Sequence, residues 1–111
     1  VMGNHDAAAS GVTEPHNFNT AAREAALWTR HELTKENRDF LSALPESIKT
    51  EHFLAVHGAI SDPDKYILAY SDAEPEFGLM GGHTLCFFGH THVPAHHKSP
   101  DRPERRLLNP G

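Results

Sequence analysis

Three apolar stretches of this 111-residue chain each run directly into a turn that contains glycine and histidine. They are Val1-Met2-Gly3-Asn4-His5-Asp6, Phe53-Leu54-Ala55-Val56-His57-Gly58 and Cys86-Phe87-Phe88-Gly89-His90-Thr91-His92. Short continuous apolar runs are typical of strands that are buried on both faces of a parallel sheet. Glycine lets the backbone turn sharply at the strand end and leaves room for a ligand. The pattern predicts an α/β fold whose strand ends deliver polar side chains to one edge of a sheet.

Composition narrows the classes of protein to which the chain can belong. Acidic residues number 15 and basic residues 10, giving a formal charge of −5 with neutral histidine. This acidic excess argues against a broad nucleic-acid surface, which needs phosphate-neutralising cations. The longest apolar stretches hold four residues, whereas a membrane span needs about 20. The lone Cys86 allows no disulfide framework, and the first residues do not resemble a signal peptide, so we expect a cytoplasmic protein without a membrane segment.

Two helices are indicated between the first and second histidine segments. Residues 7–19 carry Gly, Pro, Ser, Thr and Asn and are predicted to form a loop. Asn19 or Thr20 can then cap a helix that extends to about Leu33. Thr34 can cap a second helix, which Pro45 stops. The side chains expected to face inward from these two helices are Ala21, Ala25, Trp28, Phe40, Leu41 and Leu44.

The rest of the chain alternates extended segments with turns. Strands are predicted at 48–50, 53–56, 84–88 and 106–108, and Val1-Met2 is interpreted as the end of a strand. A turn is expected at Asp62-Pro63-Asp64, a short helix near 74–80, and a polar surface loop at 95–104. A length of 111 residues corresponds to one domain.

The histidine segments also suggest a chemistry. If the strand ends meet, four histidines, an asparagine and an aspartate converge at one edge of the sheet. Neutral imidazole is the commonest metal ligand, and a carboxamide oxygen adds a hard donor that suits Mn, Fe or Zn. Each block taken alone is equally compatible with ordinary turn histidines that are held by hydrogen bonds.

The blocks Gly3-Asn4-His5-Asp6 and Gly89-His90-Thr91-His92, with a strand-His-Gly block between them, resemble the calcineurin-like metallophosphoesterases. The small bacterial and archaeal phosphodiesterases of that superfamily are the most similar branch, and the similarity extends to Asn109-Pro110-Gly111, to which we assign no role. The resemblance implies that residues 1–111 are the C-terminal portion of a single domain, part of a four-layer α-β-β-α sandwich whose N-terminal strands are missing.

The resemblance further implies a role for each site residue. Asn4, His57 and His90 would bind one divalent metal ion and His92 a second, the pair being Mn, Fe, Ni or Zn. Residues two apart in an extended turn point the same way, so His90 and His92 can each serve one ion of the pair. His5 would protonate the leaving oxygen or stabilise charge, and Asp6 would orient His5. The alternative for Asp6 is a simple helix or turn cap.

The implied reaction is hydrolysis of a phosphoric ester by in-line attack of a metal-bound hydroxide, with phosphodiesters preferred over monoesters by resemblance alone. The family's upstream Asp-x-His and Gly-Asp-x-x-Asp blocks occur nowhere in the sequence. We therefore expect the enzyme to be a longer parent protein and the 111 residues alone to be inactive. Two alternatives stay open: a non-catalytic scaffold with the same fold, and a metal-binding module without hydrolytic activity. The sequence does not indicate an oligomeric state.

Overall fold

The computed structural model describes residues 1–111. The chain forms two compact units, one of residues 2–45 and one of residues 46–111 together with Val1. The predicted α/β class is confirmed, since five helices accompany a five-stranded sheet. None of the helices has both the length and the apolar character that crossing a membrane demands.

The unit of residues 2–45 is built from three helices: α1 (Asn4–Ser10), α2 (Thr20–Glu32) and α3 (Lys35–Ser42). Both predicted caps are confirmed, because the Asn19 side chain accepts a hydrogen bond from Ala22 N (2.9 Å) and Thr34 Oγ1 accepts one from Asn37 N (3.2 Å). These caps satisfy backbone donors that the first turn of a helix leaves without partners.

Helix α1 contradicts two expectations for the start of the chain. Residues 7–10 are helical rather than part of a loop, and Val1-Met2 is not a strand. Three consecutive alanines favour a helix strongly, and Gly11 ends it with a left-handed backbone (φ 85°) that suits glycine. Met2 N instead donates a hydrogen bond to Pro45 O (2.8 Å), which joins the two ends of this unit.

Of the side chains predicted to face inward, Leu41 and Leu44 are half-buried, but those predicted on α2 are exposed. Trp28 and Phe40 are each 66% exposed, whereas Ala26 is 3% exposed. The side chain that links α2 to α1 is Arg30, whose guanidinium donates to Ala8 O through Nε (2.8 Å) and Nη2 (2.6 Å). A helix leaves its last carbonyls without intrahelical partners and carries negative partial charge there, so a guanidinium stabilises that end better than an indole does.

The unit of residues 46–111 contains one sheet with strand order β1-β2-β3-β5-β4. Its strands are β1 (Ser47–Lys49), β2 (Leu54–Val56), β3 (Leu85–Phe87), β4 (Ala95–Lys98) and β5 (Arg106–Asn109). The three central strands, β2, β3 and β5, run parallel, while β1 and β4 pair antiparallel at the two edges. The four strands predicted from the sequence are thus confirmed to within a residue or two.

Strand β4 corrects the expectation of a surface loop at 95–104. Residues Ala95–Lys98 pair with β5, with His96 opposite Leu108. Polar residues are common in an edge strand because one side of it faces solvent. The partner strand, rather than the local composition, therefore made this segment extended.

Two short helices, α4 (Tyr70–Ala73) and α5 (Glu76–Leu79), complete this unit, and α5 falls where a short helix was predicted. Among the most deeply buried side chains are Leu54, Cys86 and Leu107, which come one from each of the three parallel strands. Burial raises the pKa of the Cys86 thiol to about 12, so this cysteine is inert.

Candidate metal centre

The carboxyl ends of the three parallel strands lie at one edge of the sheet. His57 follows the last residue of β2, the Gly89-His90-Thr91-His92 turn follows β3, and Asn109 is the last residue of β5. Since β2 pairs with β3 and β3 with β5 in parallel register, these positions are neighbours. Such an edge is where α/β sheets place ligand-binding groups.

His57 and His90 lie next to each other at this edge. Their ring centroids are 4.6 Å apart at an interplanar angle of 53°, and both residues are half-buried. Gly89 N donates a hydrogen bond to His57 O (2.8 Å), which fixes the start of the turn against the end of β2. The structure therefore brings together two imidazoles that are more than 30 residues apart in the chain.

His90 has two further neighbours. The ring of Tyr66 stacks on it, with centroids 4.0 Å apart and planes 17° from parallel. Its Nε2 lies 3.2 Å from Asp64 O. Because a carbonyl oxygen only accepts hydrogen bonds, this contact places a proton on Nε2, so that Nδ1 carries the lone pair of the neutral ring.

The loop that contains Asp64 and Tyr66 is anchored by a buried carboxylate, that of Glu76. Its Oε1 accepts hydrogen bonds from Ser61 Oγ (2.6 Å) and Lys65 Nζ (2.9 Å), and its Oε2 accepts one from Ser61 N (2.9 Å). Burial alone would raise the pKa of Glu76, but the hydrogen bonds from Lys65 and Ser61 and the charge of Lys65 hold it below the ordinary value. Nothing in the sequence marked Glu76, because its partners come from a loop that only the fold brings to it.

Gly58, directly after His57, leaves space for the same loop. A Cβ atom at this position would lie 2.3 Å from Pro63 O and 2.8 Å from Lys65 O. Backbone atoms cannot move aside cheaply, so only glycine fits here. The glycine after His57 therefore allows the backbone of residues 63–65 to approach the end of β2 closely.

The turn of residues 89–92 does not have the extended backbone that the sequence led us to expect. His90 has φ 66° and His92 has φ 55°, so both are in the left-handed region and the turn is not extended. The alternation of an extended chain therefore does not set the directions of these two side chains. His92 is exposed, whereas His90 is half-buried beside His57.

Asn109 is a residue of this edge to which the sequence analysis gave no role. It is 4% exposed, and its Nδ2 donates hydrogen bonds to Gly89 O (3.1 Å) and Thr91 Oγ1 (2.8 Å). Its Oδ1 accepts one from Gly111 N (3.0 Å). The signal that could have identified it is its position, an asparagine at the end of a strand beside a histidine turn.

The other three candidate residues lie in the unit of residues 2–45, at the start of α1. Asn4 is the first residue of this helix, and His5 is exposed with its ring 4.7 Å from that of Phe18. Asp6 Oδ2 accepts a hydrogen bond from Gly3 N (2.9 Å), so Asp6 caps the helix, which is the alternative that the sequence left open. A role for Asp6 in orienting His5 stays a prediction.

The candidate residues are of types that bind metal ions, but too few of them lie together to surround an ion. The imidazole rings of His57 and His90 offer nitrogen donors of the kind that Mn, Fe, Ni and Zn accept. Metal sites in proteins take four or more donors, and no group of three or more His, Cys, Asp or Glu side chains in this chain is placed to hold an ion.

Comparisons with known proteins agree with the fold. No family model matches the chain. A curated relative, the uncharacterized protein MJ0912 of Methanocaldococcus jannaschii, is 28% identical over 127 residues, which cover 100% of the chain and 51% of the relative. The chain therefore spans about half the length of the curated relative that it matches.

Two solved structures match over the entire chain. The crystal structure of a metallophosphoesterase from Sphaerobacter thermophilus has a TM-score of 0.81 and 31% sequence identity, and the chain covers 53% of it. That of the hypothetical protein PH1004 from Pyrococcus horikoshii OT3 has a TM-score of 0.82 and 18% identity, with 50% covered. The resemblance to metallophosphoesterases is confirmed: this chain has the fold of about half of such a protein.

Proposed function

We propose that the complete natural protein containing this chain is a metal-dependent hydrolase of phosphoric esters. The observation that carries the proposal is the meeting of His57 and His90 at the carboxyl edge of the parallel strands. It is supported by 31% identity, along the entire chain, to a protein whose structure is that of a metallophosphoesterase.

The proposed metal ligands of the sheet unit are His57, His90 and His92, and the ligand proposed from the helical unit is Asn4. A bound pair of divalent ions would lower the pKa of a water molecule and neutralise charge on the phosphoryl oxygens. His90 would offer Nδ1, because its Nε2 faces Asp64 O (3.2 Å). Histidine binds a metal ion only as the neutral ring, so protons compete with the metal for these ligands.

His5 is the residue proposed to act on the substrate itself. Because its imidazole is exposed, His5 can contact the leaving oxygen of a substrate that binds from solvent, and it can donate a proton to that oxygen. The ring contact with Phe18 (4.7 Å) limits the directions that the His5 ring can take. A protein that serves only as a scaffold does not need such a histidine, so its presence favours catalysis over the scaffold alternative.

The test uses the complete natural protein loaded with Mn²⁺, with bis(p-nitrophenyl) phosphate and p-nitrophenyl phosphate as substrates. The variant His5→Ala should depress turnover at least about 100-fold with metal content intact, since general acid catalysis contributes on that order. His57→Ala should lower both metal content and turnover. His31→Ala removes an exposed histidine of α2 and is the matched control, which should change neither.

Each other outcome points to a different conclusion. Turnover that is unchanged in His5→Ala would refute the role of His5. Tight metal binding without turnover on either substrate would identify the metal-binding module instead. Faster hydrolysis of the diester than of the monoester would support the preference for phosphodiesters.

A further inference from the structure

The turn that carries His90 and His92 holds its backbone in a conformation that side chains rarely adopt. The φ angles of these two residues are 66° and 55°, and no other non-glycine residue has a positive φ. In the left-handed region Cβ lies too close to the following carbonyl oxygen, which costs free energy at each residue. Such a backbone persists only where neighbouring groups hold it in place.

Asn109 is a buried side chain that forms hydrogen bonds with this turn. Its Nδ2 donates to the carbonyl of Gly89, just before His90, and to Thr91 Oγ1, between the two histidines. Its Oδ1 accepts from Gly111 N. Because a carbonyl only accepts and a backbone N–H only donates, these partners fix which end of the amide faces the turn. Both ends of the Asn109 amide therefore have partners within the chain.

Strand pairing places Asn109 beside the turn. Strands β3 and β5 are parallel neighbours, and Phe88 N donates to Leu108 O (2.9 Å) immediately before the turn begins. On the other side of the turn, Gly89 N donates to His57 O (2.8 Å). A continuous set of hydrogen bonds thus runs from the end of β2, through the turn after β3, to the end of β5.

We propose that Asn109 is a positioning residue for His90 and His92, the two proposed metal ligands of this turn. Its amide keeps the turn in the left-handed conformation that directs the two imidazoles, and it does not itself bind the metal. This inference rests on the proposed function, because the imidazoles are positioned for metal binding. Its consequence is that loss of the amide weakens metal binding without removing a ligand.

The first measurement needs no metal: amide hydrogen exchange in the metal-free complete natural protein. In Asn109→Leu the amides of Gly89 and Thr91 should exchange at least about tenfold faster, because Gly89 O and Thr91 Oγ1 lose their buried donor. The amides of Cys86 and Leu107, within the strands, should keep their protection. Asn109→Asp keeps the size and the acceptor for Gly111 N, so it provides the same test if the leucine variant does not fold.

Ser99→Ala is the matched control. Ser99 is also buried (7% exposed), and its Oγ accepts a hydrogen bond from Arg102 N (3.2 Å). It follows β4 and pairs with Arg105 just before β5, at the opposite end of the sheet from the turn. Its variant should leave both the exchange of the turn amides and metal affinity unchanged.

The second measurement is Mn²⁺ affinity, followed by electron paramagnetic resonance. Asn109→Leu and Asn109→Asp should bind Mn²⁺ at least about tenfold more weakly than the wild type, as expected for loss of an outer-shell partner. Unchanged exchange at Gly89 and Thr91, or unchanged Mn²⁺ affinity in a folded Asn109 variant, would overturn the inference. If the wild type binds no Mn²⁺, the proposed function fails and the metal-positioning role fails with it, while the exchange data still decide whether Asn109 holds the turn.

Discussion

Replacement of Glu76 by glutamine should destabilise the protein by about 1–4 kcal/mol. The carboxylate is 0% exposed and accepts hydrogen bonds from Ser61 N, Ser61 Oγ and Lys65 Nζ. A glutamine keeps the volume but presents its NH₂ group to at least one of these donors, and an unsatisfied buried donor costs about 1–3 kcal/mol. Loss of the ion pair with Lys65, whose side chain is 34% exposed, adds at most about 1 kcal/mol because solvent screens it.

The assay is urea unfolding of the complete natural protein between pH 3.5 and 7.5. The pKa of Glu76 is below its ordinary value of 4.5 in the folded state. Its contribution is therefore fully present above pH 4.5 and is lost as the pH falls through the folded-state pKa. The difference between wild type and Glu76→Gln should shrink correspondingly in acid.

The control for this prediction is Glu74→Gln, which changes an exposed carboxylate two residues earlier. It should cost less than about 0.5 kcal/mol, as is usual for an exposed surface position. A cost below about 0.5 kcal/mol for Glu76→Gln itself, or a difference from wild type that does not change with pH, would refute the reasoning that the buried carboxylate anchors the loop.

Two further predictions concern the sheet unit. His97 Nε2 is buried without a hydrogen-bond partner. Burial and the charge of His96 lower the pKa of His97, and Asp72 opposes this shift. The neutral form of His97 therefore stabilises the folded state above about pH 6.5, and this stability is lost as the pH falls. Urea midpoints should fall from pH 7.5 to pH 5.5 by less in His97→Phe, and an equal fall in both proteins would contradict this. Gly58→Ala should cost about 1–3 kcal/mol or more, since its Cβ would lie 2.3 Å from a backbone oxygen. The control Gly78→Ala should not destabilise the protein, because no atom lies within 4 Å of the added Cβ. Equal urea midpoints for the two variants would be evidence against the close approach at Gly58.

The sequence determined those features that depend on near neighbours in the chain. The caps at Asn19 and Thr34 formed where they were predicted because each needs only a backbone N–H three residues ahead. Strands β2 and β3 formed within the apolar runs that indicated them. The meeting of the histidines that follow these strands was also predictable, since the ends of parallel strands lie at one edge of a sheet.

The tertiary structure decided what depends on contacts between distant segments. Arg30 rather than Trp28 links α2 to α1 because the carbonyl end of α1 lies against it, 22 residues away in the chain. Strand β4 is extended because β5 pairs with it. The left-handed backbone of His90 is supported by the amide of Asn109. Hydrogen bonds between residues far apart in the sequence form only when the fold brings them together, and residue patterns within a few positions of each other carry no record of them.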